Sequence, residues 1–162
     1  MRKLLPIFLC LMVVGLGSLG FAKEDKPRIE FRTALPSCEP FYSIYFDQLP
    51  YGRDSIYVRK RVELSNKDIV SIRINKPPTK PGESWSVKIE FNDLGKQKFR
   101  KVTEEYVGEM LAILIDDKVI YAPVIAEPIP SGEAQITGVW NSKEEVEAFV
   151  RHLGFEPEYK SE

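Results

Sequence analysis

Only a few side chains in this sequence are of a kind that does chemistry, and their spacing argues against most of it. Asp116 and Asp117 stand together, as paired carboxylates do in acid–base or cation sites. They fall between two apolar runs, where adjacent acids serve as turn residues, and Lys118 follows to neutralise them. His152, the one histidine, has no second histidine or cysteine at ligand spacing, and reads as a surface residue. Cys38 has Glu39 as its neighbour and no nearby cation to favour a thiolate. Glu104 and Glu105 fit the wet face of a helix. There is no P-loop, dinucleotide fingerprint or nucleophile elbow. The expectation is a protein that is not an enzyme, with no catalytic residue, no metal site and no cofactor.

The elements around these residues are more informative. Met110–Ile115 is six apolar residues in a row, the pattern of a strand buried on both faces. The Asp116-Asp117 turn leads into a returning strand over 119–122, so the pair reads as a hairpin. Pro123 has no N–H for a ladder, so that strand ends there or lies at an edge. Residues 134–139 predict a third strand, and residues 56–64 and 71–75 two more.

Residues 84–91 alternate apolar and polar side chains, the period of a strand with one wet face. Asn92 then caps a helix whose stripe is Leu94, Phe99, Val102 and Tyr106. Ser142 opens a second helix, with Glu145 completing a capping box and Val146, Phe149, Val150 and Leu153 on one face. Gly154 stops it, and the tail 156–162 is expected to fray. The fold class is α+β: a mostly antiparallel sheet with two amphipathic helices on one face.

The chain has 162 residues and a net charge of −1, with acids and bases interspersed. That is one domain with a real core and no basic face for a nucleic-acid backbone. The first 22 residues have the architecture of a secretory signal peptide: Arg2 and Lys3, an apolar stretch over 4–19, and Gly20-Phe21-Ala22 as a cleavage site. The alternative is an uncleaved N-terminal anchor. Cleavage would leave Cys38 as a lone thiol and no membrane-spanning segment, placing the chain outside the cytoplasm. Residues 23–55 combine one strand (28–33) with a stretch rich in proline and aromatics, including Phe41, Tyr45, Phe46 and Tyr51. That stretch either packs over the domain or exposes an aromatic surface.

Residues 84–154 carry a dense resemblance to a known family, thinning over 28–83. The helix FNDLGKQKFRKVTEEYVG, the run GEMLAILIDDKVIYAPVIAEPIPSGEAQITG and the helix NSKEEVEAFVRHLG resemble the head region of the large periplasmic domain of SecD, a membrane subunit of the protein-export machinery. The sequence departs from that pattern at Tyr106, Asp117, Tyr121 and Trp140. The resemblance makes residues 56–155 a SecD-head-like domain. It implies a non-catalytic module that contacts polypeptide, with the export machinery as a partner. The alternative is a small-ligand protein or enzyme on a borrowed fold. Prolines 123 and 128 leave residues 124–127 extended, with part of the backbone unpaired. Such a segment either accepts a strand from another chain or protects an edge from it. Tyr121, Val124 and Glu127 are the expected polypeptide-contact residues.

Overall fold

The structure, a computed structural model, describes residues 27–36, 42–45, 56–76 and 84–159. Residues 1–22, expected from the sequence to be a signal peptide, Cys38 and most of the proline- and aromatic-rich stretch lie outside them.

Among the described residues, ten strands divide between two sheets. The larger contains β1 (Ile29–Leu35), β2 (Tyr42–Tyr45), β3 (Ile56–Arg59), β7 (Met110–Ile115) and β8 (Lys118–Tyr121), in the order β2-β3-β1-β7-β8. The short β4 (Leu64–Ser65) also pairs with β1. The smaller sheet contains β5 (Ile69–Asn75), β6 (Trp85–Phe91), β9 (Glu133–Trp140) and β10 (Glu158–Tyr159), in the order β10-β5-β6-β9. All pairings are antiparallel except β10 with β5. The α+β class expected from the sequence is the class observed, with two sheets in place of one.

β7 explains its own composition. Leu111, Ile113 and Ile115 face the main core, while Met110, Ala112 and Leu114 join a second cluster with Ala34, Val58 and Val119. Burial on both faces removes any selection for polar residues, so alternation disappears. The main core also takes Val87, Ile89 and Phe91 from β6 and Ala134 and Ile136 from β9. Each of these valine, isoleucine and phenylalanine side chains contributes roughly 1.5–3 kcal/mol on full burial, before conformational entropy is set against it.

Both helices close onto this core. Asn92 caps α1 (Asp93–Glu105), its side chain accepting from the Gly95 N–H at 2.8 Å. The buried face of α1 is Gly95, Phe99, Val102 and Thr103, and Leu94 is 60% exposed, contrary to the stripe expected from the sequence. The reason lies at Gly95. A Cβ there would approach the Asp68 carbonyl oxygen to 2.8 Å and the Phe91 Cβ to 2.9 Å. The helix docks on the residue without a side chain and turns its neighbour outward. In α2 (Lys143–His152) Ser142 caps as expected, accepting from the Glu145 N–H at 3.2 Å. The Glu145 carboxylate accepts from the Asn141 N–H one residue earlier than a capping box requires.

Two further expectations are corrected. Residues 56–64 are not one strand: β3 and β4 are separate, and Glu63 between them donates its N–H to the Phe31 carbonyl. The tail does not fray through residue 159. β10 pairs with β5, Tyr159 packs edge-on against Trp85 at 6.4 Å, and its hydroxyl donates to Glu147. An aromatic ring that can bury area and satisfy its hydroxyl outweighs the fraying expected of a polar terminus.

Candidate functional site

The acids and histidine that drew attention in the sequence meet at the tip of the β7–β8 hairpin. Asp116 and Asp117 have φ of 47° and 66°, the left-handed pair of a two-residue hairpin turn. Asp116 Oδ1 accepts from the Arg28 N–H at 2.8 Å, and the Asp116 N–H donates to the Arg28 carbonyl at 2.9 Å. Asp116 Oδ2 lies 3.1 Å from His152 Nε2, and Asp117 pairs with the Arg28 guanidinium. The partners of the two acids are therefore Arg28 and His152, not Lys118. The Arg28 N–H, with help from His152, holds the Asp116 carboxyl below its ordinary range. His152 is at the surface, as expected, and fastens the end of α2 to the hairpin. Among the described residues, no group of three or more His, Cys, Asp or Glu side chains is placed to hold a metal.

The other end of the same hairpin has a different character. Past Tyr121 the chain runs on beside the start of β7. The Pro123 carbonyl accepts from the Leu111 N–H at 2.9 Å. Ile125 donates to the Glu109 carbonyl and accepts from the Gly108 N–H, both at 2.8 Å. The inner side of this segment is thus paired, which narrows the unpaired backbone expected over 124–127. Val124 faces Met110 in an isolated bridge, so its own N–H and C=O point away from β7. Those groups, and those of Ala126, have no partner among the described residues. Val124 is 52% exposed.

Further on, Thr103 pins the segment to α1. Its hydroxyl accepts from the Ile129 N–H and donates to the Arg100 carbonyl, both at 3.0 Å. Residues 123–129 therefore form a lip, fixed at Ile125 and Ile129, over a cleft of about 310 Å³. Phe99, Leu111, Ile113 and Tyr121 make its apolar wall, with Ala134 and Gln135 of β9 across from the lip. β8 and β9 each end their sheet, so the cleft opens where the last strands of the two sheets meet.

All three sequence-expected contact residues line this cleft. Val124 and Glu127 lie on the exposed lip. Tyr121 is only 9% exposed and belongs to the core, so it forms the wall and not the rim. Sequence reasoning missed Phe99, Thr103 and Gln135. The one legible signal was Thr103, a hydroxyl at a buried position of an apolar helix stripe.

Comparison with known proteins agrees with this architecture. Residues 43–149 match the model of the SecDF P1 head subdomain. The chain belongs to that family. It is 48% identical over 58 residues to the protein translocase subunit SecD of Acidaminococcus fermentans, covering 36% of this chain and 14% of that one. It is 29% identical over 106 residues to the protein-export membrane protein SecD of Methanothermobacter thermautotrophicus, covering 63% and 26%. The chain thus spans about a quarter or less of the length of these relatives. Among solved structures it resembles the SecDF membrane component that enhances protein export, with a TM-score of 0.56 and 21% identity over 81% of this chain and 64% of that one. SecDF in its super-membrane-facing form gives 0.57 and 22%, over 79% and 18%. At these identities the structural likeness speaks for the fold.

Proposed function

We propose that this SecDF P1 head subdomain is a non-catalytic, extracytoplasmic module that binds extended polypeptide and assists the export or handling of exported proteins. One observation carries the reading: an apolar cleft bordered by the unpaired main-chain groups of Val124 and Ala126. Main-chain groups of that kind bind a strand with little regard to its sequence, which suits a module meeting many polypeptides. The names of the SecD relatives point the same way. No helix among the described residues is long and apolar enough to cross a membrane.

Crosslinking to an unfolded, exported substrate tests the proposal. Val124→Pro removes one of the free main-chain N–H groups from the exposed lip without touching the core, and should reduce crosslinking severalfold with the melting temperature unchanged. Undiminished crosslinking in the folded variant would move the contact away from the cleft. A second reading, a small-ligand protein, is favoured by the cleft volume, which sits at the lower end of small-molecule pockets. A small molecule that raises the melting temperature in a ligand screen would support it.

A further inference from the structure

The pairing of the lip says which polypeptide segments would suit it, and this inference rests on the polypeptide reading above. Met110, opposite Val124, belongs to the second apolar cluster, whereas Ile125 belongs to the main core. Side chains at 123 and 125 thus point to the cleft side of the lip, and those at 124 and 126 to the opposite side. A strand added along the free groups of Val124 and Ala126 shares this pleat, so every second side chain of the newcomer points to the cleft side. The wall there is apolar (Phe99, Leu111, Ile113, Tyr121). At the far end of the lip, the exposed Glu127 has no ion-pair partner among the described residues.

We infer that the cleft selects extended segments with large apolar side chains at alternate positions and a lysine or arginine beside Glu127. A polypeptide strand fits better than a small apolar molecule, which would leave the main-chain groups of Val124 and Ala126 unused.

Fluorescence anisotropy on the full chain tests this with labelled nine-residue peptides. One has leucine at alternate positions with lysine and threonine between. A second has the same composition with the leucines contiguous. Two further copies of the first carry N-methyl groups on alternate residues, in opposite phase. The alternating peptide should bind about tenfold more tightly than the contiguous one, and only one phase of N-methylation should weaken it, because a strand presents alternate N–H groups to one side. Glu127→Lys should weaken binding of the lysine peptide and strengthen a glutamate version by about threefold each, an effect that falls with salt. Equal binding of alternating and contiguous peptides, or equal loss in both methylation phases, overturns this inference and leaves polypeptide binding standing. No binding of any peptide, or of a reduced unfolded protein, overturns both.

Discussion

The two ends of the β7–β8 hairpin show how differently one element can be finished. At the tip, both acids are engaged: Asp116 with Arg28 and His152, Asp117 with Arg28. The result is a fastener joining the start of β1, the hairpin and the end of α2. At the other end the residues are chemically bland, yet they leave main-chain groups unpaired beside an apolar cleft. Residues able to do chemistry were used for structure, and residues unable to do it built the candidate site. Under the proposed function this is physically reasonable, since binding of polypeptide draws on shape, apolar area and backbone hydrogen bonds.

The contrast can be broken at the cleft end most severely through Gly95. Gly95→Val would drive a branched side chain into Asp68 and the Phe91 Cβ, shifting the helix that carries Phe99 and Thr103. A loss of about 2–4 kcal/mol is expected in denaturant unfolding, with weakened peptide binding in whatever folds. Thr103→Val is gentler and more specific. It leaves the Ile129 N–H without its 3.0 Å partner and should cost about 1–3 kcal/mol. Hydrogen exchange should quicken over the lip and stay unchanged at the hairpin tip; equal quickening at both would mean that the two ends are not independent.

Two carboxylates refine the comparison through pH. Burial raises the Glu63 carboxyl above its ordinary value of 4.5, with Arg61 and Arg59 opposing and Glu105 adding to the rise. A raised acid opposes folding once the pH passes the unfolded value, and fully so above the folded value. Glu63→Gln should therefore stabilise the protein at pH 7, on the order of 0.5–1 kcal/mol, with the gap closing as pH falls from the raised folded value to about 4.5. Asp116 has the opposite sign. Its depressed carboxyl adds stability above the unfolded value, which is lost as pH falls through the lower folded value. Asp116→Asn should cost under about 1 kcal/mol at pH 7, because the pair is half exposed, and match wild type in strong acid. Melting curves from pH 2 to 8 would check both. A stable difference for Asp116→Asn across that range would deny the tip its electrostatic role.

The local elements were legible in the sequence because their causes are local. The run Met110–Ile115, the alternation of Trp85–Phe91, the Asn92 and Ser142 caps and the left-handed Asp116-Asp117 turn each follow from residues within a few positions of one another. The prolines at 123 and 128 likewise marked a stretch where regular strand pairing gives way to an isolated bridge. What lay beyond reach depends on distant partners. Leu94 points outward because Gly95 meets Asp68 and Phe91. Tyr159 holds the tail because Trp85 and Glu147 await it. Arg28, far away in the chain, neutralises the hairpin tip. The cleft is the plainest case. Its walls come from α1, β7, β8 and β9, and it exists only because the last strands of two separate sheets meet there. Periodicity and capping report what a segment prefers along its own length; which edges face one another, and which backbone groups are left without a partner, is decided only when the whole chain packs.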